Sequence, residues 1–183
     1  MKTKRISKNK KIRPTFFVFC EGKTEETYVN YLRFQYKLPI EIKVKKKGGD
    51  INERYINNAK SNHTKHKKDE TFLIYDSDIP EIATKLRLIK NAEMLLSNPC
   101  FEIWYLLHYQ SQNAELTSSR CLSELEKHIN GYKKGILNAS LKGILSINKE
   151  EAIKRAESLK VNENPSTSIY VLIKKLDVVK REA

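Results

Sequence analysis

The chain has 183 residues, of which 39% are hydrophobic and 31% charged, and its formal net charge is +13. This length and composition fit one globular domain with a hydrophobic core and leave little room for a second. The sequence has no apolar run of the roughly 18–20 residues that cross a bilayer, so we expect a cytoplasmic protein with no membrane segment. The three cysteines are scattered without a CxxC pair, which favours neither a disulfide framework nor a zinc site.

The excess of basic residues favours a polyanionic partner, because every phosphate that a basic side chain neutralises releases counterions. Residues 1–13 contain seven Lys and Arg residues and no acid. We predict that they form a flexible basic arm, which either solubilises the protein or grips a nucleic-acid backbone. The candidate phosphate contacts in this arm and in two later basic runs are Lys8, Lys10, Lys11, Arg13, Lys45, Lys46, Lys47, Lys65, Lys67 and Lys68.

Strands and helices alternate after the arm. Residues 15–20, TFFVFC, form a continuous apolar run that predicts a strand buried on both faces. Gly22 breaks this run, and Thr24 can cap a helix over about 25–36. The pattern then predicts a second strand, a polar helix and a third strand, over 40–44, 51–62 and 71–75. This alternation predicts a parallel sheet with right-handed crossovers.

The rest of the chain is predicted to be mainly helical. A short segment over 79–90 leads to a fourth strand over 92–97, after which Asn98 can cap a buried apolar helix that has Pro99 at its first position. Beyond residue 111 the pattern predicts only helices, near 118–129, near 148–160 and from about 165 onward. The predicted organisation is a single domain made of a basic arm, an α/β core and a helical C-terminal region packed on the core, over 1–13, 14–111 and 112–183.

Acidic residues follow the first and third predicted strands. Glu21 ends the first strand, Glu25 opens the helix after it, and the stretch TFLIYDSD ends on Asp76 and Asp78. The carboxyl ends of parallel strands share one edge of a sheet, so we expect these carboxylates to converge there. They would repel one another unless a positive charge lies between them, either a Lys or Arg side chain or a metal ion. Oxygen ligands of this kind suit Mg²⁺ or Mn²⁺, and such an ion can polarise a phosphodiester.

Each candidate residue also has a structural interpretation. Glu25 lies where the helix dipole favours an acid, and an acidic pair after a strand is often a turn or a cap. Glu102 is the only charged residue in FEIWYLLHY, so it either pairs with Lys or His, reaches solvent, or serves a site together with Ser97. Lys23 could offset negative charge on a phosphate, or could simply be a solvated lysine in the turn beside Glu21.

Four segments of the sequence, spread over roughly 14–176, carry a family resemblance: FVFCEGKTEETYVNYL, LIYDSD, SNPCFEIWYLLHY and NPSTSIYVLIKKL. They resemble the RloB-like family, which is also associated with abortive-infection systems of the AbiL type. This family is similar to Toprim proteins, which implies a four-stranded, largely parallel sheet flanked by helices. It also implies that Glu21, Asp76 and Asp78 bind Mg²⁺. The related OLD-type nucleases have an acid at the position of Glu25 and Ser and acidic residues after the fourth strand, which adds Ser97 and Glu102 as candidates.

The resemblance implies a Mg²⁺-dependent nuclease that acts in phage defence with a partner ATPase of the ABC/SMC type. Structured RNA such as tRNA is the substrate suggested by related Toprim effectors, although the residues themselves do not distinguish RNA from DNA. One alternative is a noncatalytic nucleic-acid-binding or adaptor subunit of the same complex, and another is nucleotidyl transfer with the same metal geometry. Only 18 residues separate Asp78 from Ser97, fewer than is usual in the family, which could open one side of the site or mark an inactive member.

Overall fold

The computed structural model of the protein describes residues 14–38, 41–48 and 50–182. The predicted basic arm over 1–13 lies outside these residues. The candidate phosphate contacts Lys8, Lys10, Lys11 and Arg13 lie outside them as well.

A mostly parallel β-sheet forms the centre of the described structure. Its strands are β1 Thr15–Cys20, β2 Glu41–Lys46, β3 Glu70–Asp76, β4 Glu93–Asn98 and β5 Ser166–Thr167. The strand order is β2-β1-β3-β4-β5, with β1 to β4 parallel and β5 antiparallel to β4. The predicted α/β class is therefore confirmed, and the arrangement is consistent with a Toprim-like fold. The described sheet has five strands rather than the predicted four, because β5 pairs with the end of β4.

Helices cover both faces of the sheet. They are α1 Lys23–Tyr36, α2 Glu53–Lys60, α3 Pro80–Arg87, α4 Glu102–Leu106, α5 Ser118–His128, α6 Ala139–Ile147, α7 Lys149–Glu157 and α8 Tyr170–Arg181. Because side chains alternate along a strand, Phe16 and Val18 pack on the face covered by α1 and α4 to α8, whereas Phe17 and Phe19 pack on the face covered by α2 and α3. The continuous apolar run of β1 is explained by this burial on both faces.

Two predicted helix starts are wrong. Gly22, not Thr24, occupies the N-cap position of α1, and the Thr24 hydroxyl instead donates a hydrogen bond to Glu102. Asn98 does not cap the next helix, because it is the last residue of β4 and the peptide bond to Pro99 is cis. Helix α4 begins only at Glu102, and all five of its residues are buried.

The connections and the C-terminal region also differ from the predictions. Residues 80–87 form α3, so the short connection between β3 and β4 still contains a crossover helix. The region after residue 111 is not wholly helical, since the last helix begins at Tyr170 and the chain before it contributes β5 to the sheet. Asn148 precedes α7, and its side-chain amide donates to the carbonyl oxygen of His108. None of the described helices is long and apolar enough to span a membrane.

Candidate active site

The first acidic residue meets the third strand at the carboxyl edge of the sheet. Strands β1 and β3 are parallel neighbours with Cys20 opposite Ile74, so Glu21 leaves β1 beside the end of β3. The backbone N–H of Glu21 donates to the carbonyl oxygen of Ile74 at 3.0 Å. The Glu21 carboxylate Oε2 in turn accepts the backbone N–H of Asp76 at 3.0 Å. The structure thus brings together two acids that lie 55 residues apart.

Asp76 is the acid of this edge whose pKa is raised the most. Its Oδ1 is buried and has no hydrogen-bond partner among the described residues. Burial raises the pKa of Asp76 to about 8, and the negative charges of Glu25, Glu21, Glu102 and Asp78 add to this rise. An acid in this position requires either a proton or a cation to compensate its charge.

Glu25 reaches the same edge from the first turn of α1. It is buried, and its side chain folds back over Gly22, where an added Cβ would lie 2.9 Å from Oε2 of Glu25. Glycine at position 22 therefore leaves the room that this carboxylate occupies. Burial raises the pKa of Glu25 to about 7, and the charges of Glu102 and Glu21 contribute to the rise. The pKa of Glu21 is also raised, first by burial and then by Asp78, against the hydrogen bond from Asp76.

Glu102, the first residue of α4, is fully buried near these acids. Its Oε1 accepts the hydroxyl groups of Thr24 at 3.2 Å and Tyr132 at 3.1 Å. Its Oε2 lies 3.7 Å from the ammonium of Lys134. Among the interpretations of Glu102 from sequence, the structure therefore shows pairing with a lysine, close to the acids of the strand ends. We call Glu21, Glu25, Asp76, Asp78 and Glu102 the acid cluster.

Lys134 is the basic residue of the site that sequence reasoning missed. The next residue, Gly135, is fixed on α1, because its N–H donates to Thr24 Oγ1 and its carbonyl accepts Thr27 Oγ1, each at 3.1 Å. Burial alone would lower the pKa of Lys134, but Glu102 and, more weakly, Asp76 and Glu25 raise it above its ordinary value. The sequence contains no signal for this role, since Lys133 and Lys134 are adjacent and only the folded loop decides which one faces the acids.

The other candidates from sequence occupy different positions. The ammonium of Lys23 pairs with Glu26 at 2.8 Å, and the Lys23 side chain is 67% exposed. Asp78 is exposed just beyond Asp76. Ser97 is fully buried, and its hydroxyl is hydrogen-bonded to that of Thr167 at 2.9 Å, which ties β4 to β5.

The two basic runs lie at opposite edges of the sheet. Lys45 and Lys46 end β2, opposite Phe19 and Cys20, and the N–H of Lys47 donates to the carbonyl of Cys20. This run therefore lies at the carboxyl edge, near the acid cluster. The other candidates, Lys65, Lys67 and Lys68, precede β3 and lie at the amino edge.

The donor atoms of this site are of the type that a hard divalent cation prefers, but they are not already positioned around one point. Within 14–38, 41–48 and 50–182, no three His, Cys, Asp or Glu side chains are positioned to hold a metal ion. The donors at this edge are nevertheless carboxylates, which Mg²⁺ and Mn²⁺ prefer, and Asp76 Oδ1 lacks any partner among the described residues. Binding of an ion would therefore require rotation of side chains, and we expect Glu21 and the exposed Asp78 to provide it.

The fold and the site together define an α/β protein with a carboxylate cluster at the carboxyl edge of a mostly parallel sheet. A family model described as RloB-like protein matches residues 16–176. The chain therefore belongs to the RloB-like family, as its sequence segments predict. No curated protein and no solved structure matched the chain.

We expect Asp76→Asn to stabilise the protein, and to do so more strongly as the pH rises. The pKa of Asp76 is about 8 in the folded protein against an ordinary 3.8, so between these values unfolding releases a proton and the wild type loses stability as pH increases. Since one pKa unit corresponds to about 1.4 kcal/mol and pH 7.5 lies well above 3.8, a gain of up to about 5 kcal/mol is expected at pH 7.5. Thermal unfolding of both proteins from pH 5 to pH 8 measures the difference.

Asp50→Asn is the matched control for this experiment, because Asp50 is exposed and pairs with Lys47. It should show no such gain. Mg²⁺ should stabilise the wild type but not Asp76→Asn, and this stabilisation should increase with pH because the metal competes with protons. An Asp76→Asn protein less stable than the wild type at pH 7.5 would contradict the described electrostatics.

Proposed function

We propose that this RloB-like protein is a Mg²⁺-dependent nuclease of the Toprim type that cuts nucleic acid as the effector of an anti-phage abortive-infection system. The observation that carries the proposal is the contact between Glu21 and Asp76 at the carboxyl edge, where the unpartnered Asp76 Oδ1 faces a surplus of negative charge. Acids brought together from separate elements at this expense of stability are typical of functional sites.

Glu21, Asp76 and Asp78 would hold the metal, with Glu25 beside them. Bound Mg²⁺ would polarise a phosphodiester and activate water for its hydrolysis. Lys134 is suited to offset negative charge on the phosphate, and Glu102 holds its ammonium close to the acids. Tyr132 and Thr24 position Glu102 in turn. In this arrangement Glu102 positions the ammonium of Lys134, and Ser97 holds β4 in register with β5.

The substrate would approach over the carboxyl edge. Lys45, Lys46 and Lys47 lie there and would contact phosphates, which supports binding without reading sequence. Lys65, Lys67 and Lys68 would contact only a substrate that continues around to the amino edge. Structured RNA such as tRNA is the substrate class that the family resemblance suggests, and an ABC/SMC-type ATPase is the partner that it implies. An uncontrolled nuclease would harm its host, so restraint by a partner is physically reasonable.

A cleavage assay tests the proposal. The purified protein is incubated with tRNA, single-stranded RNA, single-stranded DNA and duplex DNA in Mg²⁺, in Mn²⁺ and in EDTA. We expect cut products that require the divalent ion. The absence of cutting on every substrate, with and without the partner ATPase, would refute the nuclease. A parallel incubation with nucleotides and a template distinguishes nucleotidyl transfer, because that reaction lengthens strands.

One observation favours a second function, a noncatalytic nucleic-acid-binding or adaptor subunit of the same defence complex. The described residues hold no preformed group of three metal ligands. Under this alternative the acid cluster is structural, and Asp76→Asn would leave both nucleic-acid binding and phage defence unchanged. The nuclease proposal requires that defence be lost while binding remains.

A further inference from the structure

A groove with a partly polar lining lies at the carboxyl edge, and Asp78 is the one residue of the acid cluster among its described lining residues. It has a volume of about 950 Å³. Its lining includes residues 77–78 after β3 and residues 98–99 at the end of β4, which we call its base. The lining also includes residues 83, 84 and 87 of helix α3, and residues 115–118, 162 and 164, which we call its far wall. Among the candidate site residues predicted from sequence, only Asp78 is part of the described lining of the groove.

The far wall of the groove is fixed by specific hydrogen bonds. The side-chain amide of Asn164 donates to the carbonyl of Leu116 at 2.8 Å and accepts the N–H of Leu116 at 3.2 Å. At the base, the N–H of Ser77 donates to the carbonyl of Ser97 at 2.8 Å, which joins the ends of β3 and β4. The groove is therefore preformed, as ligand sites usually are, and its size lies in the range of such sites.

The lining of the groove suits the edge of a nucleobase better than a phosphate chain. Arg87 is its single basic residue among the described lining residues, against the acids Asp78 and Glu115. Asn98 and Asn162 provide amides, and the rest of the polar lining is Ser, Thr and Asn164. Amide and carboxylate side chains are the groups that pair with the amino and ring-nitrogen positions of bases. The described lining includes no aromatic residue, so recognition would depend on hydrogen bonds rather than on sequence-tolerant stacking.

We propose that this groove binds an unpaired nucleobase of the substrate strand, next to the phosphodiester that the acid cluster acts on. The inference rests on the proposed nuclease function and names its substrate class: nucleic acid with unpaired nucleotides at the cut. A base inside a duplex cannot present its pairing edge to such a groove, whereas a base in a loop or a single strand can. The groove also predicts a preference for certain bases.

Two pairs of variants test the groove against its surroundings. Arg87→Gln removes the basic residue of the groove, and Lys85→Gln makes the same charge change on the same helix outside it. Asn162→Gly removes an amide at a residue with φ of 66°, a conformation that glycine adopts freely. Asn91→Gly is its control, since Asn91 has φ of 56° and does not line the groove.

Binding of fluorescent six-nucleotide RNAs is measured by anisotropy in EDTA, with oligo(A), oligo(C) and oligo(U), and with a blunt duplex as competitor. We expect Arg87→Gln and Asn162→Gly each to weaken single-strand binding about fivefold or more. Asn162→Gly should also reduce the difference between bases. The affinities of Lys85→Gln and Asn91→Gly for the single strands should stay within about twofold of the wild-type affinity. A change of that size is what the loss of one nonspecific electrostatic contact would cause.

Three results would overturn the proposal. They are groove variants that bind like their controls, a duplex that competes as well as a single strand, and a free mononucleotide that fills the groove without displacing the oligonucleotide. Because binding is measured without a divalent ion, these results are independent of cleavage. A protein that cuts nothing, yet whose groove variants lose binding, would refute the nuclease and keep the nucleobase site.

Discussion

Asp76→Asn is expected to lower Mg²⁺-dependent cleavage by about 10³-fold or more, because under the proposed function it removes a charged oxygen ligand and with it several kcal/mol of transition-state stabilisation. The same substitution should stabilise the fold, since it removes a partly buried acid that repels its neighbours. Loss of activity together with a gain in stability is the combination that separates a functional acid from a structural one. Cleavage rates and thermal unfolding of the same preparations measure both.

The control is again Asp50→Asn, which removes a carboxylate outside the acid cluster. It should retain full cleavage. An Asp76→Asn protein that still cuts in Mg²⁺ at a rate close to that of the wild type would exclude Asp76 from the metal site. Loss of activity with a lower unfolding temperature would instead point to damage of the fold.

Lys134→Gln is expected to reduce cleavage about 10²-fold, because the ammonium that offsets charge at the acid cluster is lost. Lys133→Gln makes the same change at the adjacent residue. Lys23→Gln makes it at the first residue of α1, which from the sequence could either offset charge on a phosphate or be a solvated lysine. The ammonium of Lys23 already pairs with Glu26, so we expect both of these variants to retain most of their activity. Single-turnover cleavage rates at saturating enzyme measure the three variants side by side.

The ranking of the three lysine variants decides between the two assignments. If Lys23→Gln loses more activity than Lys134→Gln, the lysine beside Glu21 is the one that serves the phosphate. If Lys133→Gln loses as much as Lys134→Gln, the effect comes from the overall charge of the loop. Either result would contradict the role assigned to Lys134.

The parts of the fold that sequence predicts are those set by periodicity. The runs over 16–20 and 72–75 are apolar at every position, which indicates strands buried on both faces, and their alternation with helices implies parallel neighbours. The meeting of Glu21 with Asp76 follows from that topology alone, since both residues leave their strands at the same edge. The convergence of acids at this edge is the one feature of the site that follows from the periodicity of the sequence.

The remainder of the site depends on contacts between distant segments. Thr24 has the sequence context of a helix cap, but a buried carboxylate on α4 uses its hydroxyl instead. Strand β5 is only two residues long and has no periodicity to detect. Lys134 and Tyr132 lie in a loop whose position is fixed by hydrogen bonds of Gly135 to α1, and such contacts leave no periodic trace in the sequence.

Metal binding under the proposed function would explain why a basic protein keeps the repelling carboxylates of the acid cluster together. Asp76 and Glu25 have pKa values of about 8 and about 7, so near neutral pH they are partly protonated. Under the proposed function, a bound cation would replace these protons. Lys134 offsets only part of the negative charge of the acid cluster, on the side of Glu102. A divalent ion would complete the balance on the side of Glu21 and Asp76.

The central claim is that the carboxylates gathered at this sheet edge capture a divalent ion, and crystals of the protein soaked in Mn²⁺ test it most directly. We predict an anomalous-difference peak bounded by the carboxylates of Glu21 and Asp76, and its loss in crystals of Asp76→Asn. Full occupancy of Mn²⁺ elsewhere on the molecule, with no peak between those two side chains, would contradict it.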